Sequence, residues 1–211
     1  MTYTPPLAAS LVAKWFISRA QRSSDHDVDN LKLQKLLYLA QSRYLHRTGI
    51  PLIKEDFAAW KHGPVVAPVY RECSEFGRAP IVMDLAEDGP WHHIPVGVAT
   101  VLDETWLAFG VYSGWRLRDI THEVGPWREV FIEDVKNIVI PREAIGAAWP
   151  EFAALEAEPA ISHNLIEDAL DRYKHLSGVV PMGERVGDPA ALEEELSRND
   201  LLRKEANSLL Q

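Results

Sequence analysis

The sequence predicts a mainly α-helical, compact domain with a small β element, followed by a helical, acidic C-terminal extension. Apolar residues recur at intervals of three and four over several long segments, which is typical of amphipathic helices. A few short apolar runs bounded by Gly and Pro have the length of strands. Beyond Pro159 the composition becomes acidic and leucine-rich. We therefore expect a helical domain over residues 1–158 and the extension over residues 159–211.

Two helices are predicted near the start of the chain, and they can pair as an antiparallel hairpin. The first follows Pro5-Pro6 and runs to about Ser23. The second runs from about Asn30 to Arg47, with Asp29 or Asn30 as its N-cap. Its apolar face comprises Leu33, Leu36, Leu37, Ala40 and Tyr44. The polar positions around that face are Lys32, Gln34, Lys35, Gln41 and Arg43.

A short strand and a further helix are predicted next. Residues 53–60 are a strand candidate, and the Gly-Pro pair that follows is typical of a helix start. Gly63 suits the N-cap, and Pro64 suits the first helical position, where its missing N–H costs nothing. Apolar residues then recur at helical spacing: Val65, Val66, Val69, Tyr70 and Cys73. Cys73 lies on the apolar side, so we expect a buried, unreactive thiol.

The rest of the first domain alternates short elements with Gly and Pro breaks. The pattern predicts a short strand over Ile81–Met83, a helix over about Gly97–Tyr112, and a shorter helix over Trp115–Glu123 that Gly125-Pro126 stops. A short apolar run over 137–141 and a helix near 143–148 follow.

Composition and charge restrict the class of protein. No run of about eighteen apolar residues occurs and the N-terminus lacks the regions of a signal peptide, so we expect a cytoplasmic protein without a membrane partner. A single cysteine excludes an internal disulfide and a multi-cysteine zinc site.

The charge is unevenly distributed along the chain. Residues 1–80 hold 11 Lys and Arg against 7 Asp and Glu, a net charge of +4. Residues 81–211 hold 11 Lys and Arg against 24 Asp and Glu, a net charge of −13. The acidic part is either a solvated surface or the complement of a basic partner.

No motif in the sequence predicts catalysis, a metal site or a cofactor. The acidic loop at residues 25–29 lacks the glycine and the distal glutamate of a calcium-binding loop, which favours a helix-capping loop. The His122-Glu123 pair lacks the second histidine of a zincin motif. We expect the His122 ring to donate to a carbonyl or carboxylate and to fix the corner before Trp127.

Three motifs occur in an order that resembles the Panacea antitoxin domain family. They are LKLQKLLYLAQ at Leu31–Gln41, WKHGPVVAPVY at Trp60–Tyr70 and LRDITHEVGPW at Leu117–Trp127. The resemblance covers residues 7–150 and does not extend to the acidic end of the chain. The residues that carry it are Lys32, Gln34, Lys35, Tyr38, Trp60, Gly63, Pro64, Tyr70, Thr121, His122, Pro126 and Trp127.

The resemblance implies a mainly helical fold and an antitoxin that acts on a toxin protein. The family includes phage-associated proteins and Soc-type adaptor antitoxins. Such a protein binds its toxin and blocks it, or acts as a proteolytic adaptor that delivers it to a AAA+ protease. The residues expected to bind the toxin are Lys32, Lys35, Trp60, Lys61, His62, Tyr70, His122 and Trp127.

Two other functions remain open at this point. The first is a nucleic-acid-associated regulator that uses the basic N-terminal half, with the second helix presenting Lys32, Lys35, Arg43 and Arg47. The second is a hydrolase with a site near His122 and Glu123.

Overall fold

Helix α2 (Asn30–Thr48) lies at the centre of the fold, because leucine and alanine side chains occupy most sides of the helix and all require burial. The Asp29 side chain caps it by accepting a hydrogen bond from the backbone N–H of Lys32 at 2.7 Å. Gly49 ends it in the left-handed conformation, with φ of +69°. This computed structural model describes residues 4–23, 27–86, 89–135 and 137–156. The predicted extension over 159–211 lies outside the described residues.

Most of the other elements are short and surround α2. They are α1 (Ala9–Gln21), β1 (Ala58–Trp60), β2 (Gly63–Val65), α3 (Ala67–Glu72), α4 (Val96–Phe109), α5 (Gly114–Glu123), α6 (Trp127–Val130), β3 (Ile138–Val139), α7 (Arg142–Ala147) and α8 (Trp149–Ala153). Helices α1, α4, α5 and α7 all contact α2, and their apolar residues form one core with it. The predicted fold class, mainly α with a small β element, is confirmed.

Three short antiparallel strands form the β element, in the order β2-β1-β3. Trp60 pairs with Gly63, so Lys61 and His62 make the two-residue turn of a β-hairpin. The apolar run near residues 137–141 supplies β3, which pairs with the other side of β1.

The predicted helix start at the Gly-Pro pair is wrong. Gly63 has a φ of +97°, which closes the hairpin and does not suit an extended N-cap. Pro64 lies in an edge strand, where a missing N–H is tolerated. The helix begins later, at Ala67, with Pro68 in its first turn. The predicted burial of Cys73 on this helix's apolar side is confirmed, and that burial raises the pKa of the thiol to about 11.

Three other predicted elements differ in extent or kind. Residues 81–83 form no strand; the backbone N–H of Ile81 instead donates to the carbonyl of Val28 at 2.8 Å. The strand candidate over residues 53–60 is reduced to its last three residues. Leu7 bridges to Ile53, which holds the chain extended before α1 and delays the start of that helix to Ala9. Within the described segments, no helix combines the length and the apolar character needed to cross a bilayer.

Candidate protein-binding face

The tip of the β1–β2 hairpin presents aromatic and basic side chains to solvent. Lys61 and His62 are exposed at the turn, and the half-buried ring of Trp60 lies 4.9 Å from the ring of Tyr70, centroid to centroid. The indole N–H of Trp60 donates to the Oδ1 of Asn137 at 3.2 Å, which holds the ring against the sheet. Tyr70 is 38% exposed. The hairpin thus displays two neighbouring aromatic rings beside two basic groups.

Helix α5 extends this surface with a large aromatic side chain that the sequence motifs did not indicate. Trp115 is 52% exposed, and its ring lies 5.6 Å from that of His62. The other side of the short helix is buried through Leu117 and Ile120, which fixes its orientation. We call the surface formed by Trp60, Lys61, His62, Tyr70 and Trp115 the hairpin face.

The polar residues of the first motif bind backbone groups inside the protein. Gln34 accepts a hydrogen bond through Oε1 from the backbone N–H of Val66 at 2.9 Å. Gln41 accepts two, from the N–H groups of Leu52 at 3.0 Å and Ile53 at 2.9 Å. Both glutamines are buried. They satisfy loop N–H groups that burial would otherwise leave without partners, so they attach loops to α2.

Lys35 has the same internal role. Its side chain is 0% exposed, and its Nζ donates to the carbonyl of Pro64 at 2.8 Å. A Cβ added to Gly63 would lie 2.8 Å from that Nζ, so only glycine allows the hairpin to pack this closely. Burial, and secondarily the positive charge of Arg118, lower the pKa of Lys35 to about 7. Lys35, which was expected to bind the toxin, thus presents no part of its side chain to solvent.

Lys32 is buried as well. Its Nζ donates to the carbonyl of Gly110 at 2.6 Å and lies 5.7 Å from the centre of a Trp106 ring. Burial lowers its pKa to about 8, although Asp29 and Asp27 oppose that shift.

The remaining cations of α2 are paired with carboxylates. Arg43 is buried, contacts Glu104 at 2.9 Å and Glu156, and lies over the ring of Trp149. Arg47 also pairs with Glu104, at 2.6 Å. The basic surface predicted for the second helix is therefore not formed: Lys32, Lys35 and Arg43 are buried, and the exposed Arg47 is paired with Glu104.

His122 and Trp127 form a stacked arrangement behind the hairpin. Their ring centroids lie 3.6 Å apart, and the two ring planes make an angle of 13°. The ring of Phe131 also stacks on Trp127, with the two centroids 4.7 Å apart. The indole N–H of Trp127 donates to the carbonyl of Trp60 at 2.9 Å, which ties the stack to the hairpin.

The expectation that His122 donates to a carbonyl or carboxylate is not met by its Nε2, which is buried with no hydrogen-bond partner among the described residues. Burial, with the charges of Arg118 and Lys35, lowers the pKa of His122 to about 4 against the opposing effect of Asp119. The ring is therefore neutral near pH 7, and stacking on Trp127 fixes its position.

Comparison with known proteins places these features in a family. Residues 33–128 match the family model described as "Antitoxin SocA-like, Panacea domain". Antitoxin SocA of Caulobacter vibrioides (strain NA1000 / CB15N) is 43% identical over 128 residues, which cover 56% of this chain and 68% of that relative. The chain belongs to the SocA-like Panacea antitoxin family. No solved structure is significantly similar to the chain. Membership makes this Panacea protein an antitoxin and implies a cognate toxin as its partner.

The three motifs have different structural roles in this Panacea domain. The first, Leu31–Gln41, supplies the internal hydrogen bonds of α2, and the second, Trp60–Tyr70, forms the hairpin and α3. The third, Leu117–Trp127, forms most of α5 and the start of the aromatic stack. Of the predicted toxin-binding residues, the structure brings Trp60, Lys61, His62 and Tyr70 to one surface. It buries Lys32, Lys35 and Trp127 and half-buries His122.

Proposed function

We propose that this antitoxin neutralises its toxin in the cytoplasm by direct binding through the hairpin face. The observation that carries the proposal is the exposure of Tyr70 and Trp115 beside the half-buried Trp60. Tryptophan, tyrosine and arginine side chains provide most of the binding energy in protein interfaces. The hairpin face collects three such aromatic residues around the basic turn formed by Lys61 and His62.

The backbone beneath this face is held in place before any partner arrives. Lys35 binds the carbonyl of Pro64 on one strand, and Trp127 binds the carbonyl of Trp60 on the other. A partner that docks on the hairpin therefore has little backbone to order. Such preorganisation reduces the entropic cost of association.

Two observations favour this proposal over the alternative functions. A nucleic-acid regulator would need the basic surface of the second helix, where Lys32 and Lys35 are buried and Arg43 is paired. Acid–base catalysis by His122 would need a hydrogen-bonded nucleophile. The Nε2 of His122 has no such partner among the residues described, and its ring lies flat on Trp127.

Co-expression with the product of the adjacent gene tests the proposal. The full chain should restore growth and co-purify with that protein. Trp115→Ala and Tyr70→Ala should each weaken binding by about 2 kcal/mol, close to thirtyfold in Kd, because each removes an exposed aromatic anchor. Val96→Ala, at a strongly exposed apolar position on α4, is the matched control and should bind normally. Normal binding by both aromatic variants, with unchanged folding, would contradict the choice of this face.

The same strain distinguishes the two ways in which a bound toxin can be neutralised. If binding itself blocks the toxin, its half-life in cells is unchanged by the antitoxin. If the antitoxin delivers it to a AAA+ protease, the half-life shortens when both are present and recovers when the protease is depleted. Direct blocking is the form that we propose.

A further inference from the structure

A cationic group lies beneath the hairpin with no carboxylate to match it. Lys35 is completely buried, and its Nζ donates to a neutral partner, the carbonyl of Pro64. Among the described residues, no carboxylate lies within ion-pair distance of Lys35, and the charged group that shifts its pKa is another cation, Arg118. A buried cation without a counter-ion is unfavourable, so this arrangement needs an explanation.

Helix α5 adds two polar atoms without partners at the same place. Arg118 uses one terminal nitrogen to bind Asp119 at 2.7 Å, but its Nε is buried with no hydrogen-bond partner among the described residues. His122, one helical turn further on, has a buried Nε2 in the same situation. Thr121, between them, lies within 3.1 Å of the position that a Gly63 Cβ would occupy, so this turn of α5 packs directly on the hairpin. Buried polar atoms in native proteins nearly always have partners.

The exposed rim above this cluster is also cationic. Burial lowers the pKa of His62, and the charged groups that add to this effect are Arg118, Lys61, Lys35 and Arg78, all of them cations. Asp119 is the carboxylate that acts in the opposite direction on His122, and it is already paired with Arg118. The Arg118 side chain remains 32% exposed, so a ligand at the hairpin face can reach it.

We propose that Arg118 and His62 bind a carboxylate of the toxin, while the buried charge of Lys35 and the ring of His122 stabilise that anion from below. The site lies beside Trp115, within the hairpin face, and the inference therefore rests on the proposed function. One carboxylate would supply the counter-ion that Lys35 lacks and an acceptor for Arg118. Charge-assisted hydrogen bonds to arginine are among the stronger polar contacts in interfaces.

A single carboxylate fits this site better than a nucleic-acid backbone. A strand of phosphates needs a row of exposed cations. Here Asp119 and Glu123 lie on the same short helix as Arg118, and the complete chain carries a net charge of −9. The anion-binding site is small and local, which matches one side chain inserted between aromatic neighbours.

Binding of an anion here must favour protonation of its neighbours. A carboxylate beside Lys35, His62 and His122 raises the pKa of each, so the complex takes up protons near pH 7. Lys35 interacts electrostatically with Arg118 and His122 on α5 and with His62 on the hairpin. Asp119, which is paired with Arg118, acts on His122, and Lys61 and Arg78 act on His62. Affinity should therefore increase as the pH falls.

Calorimetric titration of the full chain with the adjacent-gene product tests the inference. Measured at pH 6, 7 and 8 in two buffers of different ionisation enthalpy, binding should be roughly tenfold tighter at pH 6 than at pH 8, with net proton uptake at pH 7. Arg118→Gln should weaken binding at least tenfold. Lys35→Met should remove most of the proton uptake. Lys54→Gln, at an exposed lysine outside the hairpin, is the control and should leave both quantities unchanged.

The outcomes separate this inference from the proposed function. A complex whose affinity is independent of pH and of Arg118 overturns the carboxylate site but leaves toxin binding intact. No complex with the wild-type chain at any pH overturns the proposed function itself. Titration with inorganic phosphate at constant ionic strength identifies a competing source of the anion. If phosphate weakens toxin binding, the result supports the carboxylate site. If phosphate binds tightly and the toxin does not displace it, the site binds a free anion and the proposal is overturned.

Discussion

Replacing Lys35 by methionine should stabilise the protein at low pH and destabilise it at high pH. In the unfolded chain the lysine keeps its proton up to its ordinary pKa of 10.5, whereas in the folded protein burial lowers that pKa to about 7. Between these values the unfolded state holds more protons, so wild-type stability rises with pH. Below pH 7 the wild-type protein bears the full cost of a buried charge.

The size of the effect follows from the same pKa difference, which corresponds to an upper limit of about 5 kcal/mol. Methionine has a similar shape and no charge, but it loses the hydrogen bond to Pro64, which is worth about 1–2 kcal/mol. We therefore expect Lys35→Met to be about 3 kcal/mol more stable than the wild type at pH 6. Above pH 10 it should be about 1 kcal/mol less stable.

Urea unfolding of both proteins from pH 6 to pH 11 measures this difference directly, because titration of other groups largely cancels in the comparison. Lys54→Met, at an exposed lysine, provides the control and should stay within about 0.5 kcal/mol of the wild type throughout. A stability difference for Lys35→Met that does not change with pH would refute the buried, uncompensated lysine.

Two further substitutions examine the contacts between α2 and the surrounding loops. Gln41→Leu leaves two buried backbone N–H groups without an acceptor and should lower the free energy of unfolding by about 2–4 kcal/mol. Gln21→Leu is the control, because this exposed glutamine also accepts a hydrogen bond from a backbone N–H, and it should lower the free energy of unfolding by under about 1 kcal/mol. Thermal melts that give equal losses for the two would contradict the internal role of Gln41. Gly63→Ala places a Cβ 2.8 Å from the Lys35 Nζ at a φ of +97° and should cost about 2–3 kcal/mol in urea unfolding. An unchanged midpoint would show that the hairpin does not pack as described.

Local pattern in the sequence was sufficient for the central helix α2. Apolar spacing and the Asp29 cap identified α2 within a residue at its C-terminal end, since both signals come from neighbours in the chain. The Gly-Pro pair led to a wrong helix start, because glycine also suits a hairpin turn and proline also suits an edge strand. The proline in the first turn of the helix is instead Pro68, four residues later, which follows the first helical residue Ala67.

The buried polar residues could not be placed from the sequence. Lysine and glutamine are mostly exposed in proteins, so their presence beside a leucine stripe indicated a solvated face. Their partners are backbone groups far along the chain: the carbonyl of Gly110 for Lys32, that of Pro64 for Lys35 and the N–H of Val66 for Gln34. Such non-local contacts leave no periodic signal. Trp115 was likewise overlooked, because its exposure follows only from how α5 packs on α2.

Hydrogen–deuterium exchange of the full chain, free and bound to the adjacent-gene product, locates the surface that the toxin covers. If the toxin binds through the hairpin face, complex formation should protect amides at the hairpin (residues 58–65), in α3 and at the start of α5 around Trp115. Exchange should change little in the groove on the α2–α7 side, lined in part by Leu45, Pro51 and Ala147. New protection in that groove, with the hairpin and α5 exchanging as in the free protein, would contradict binding through the hairpin face.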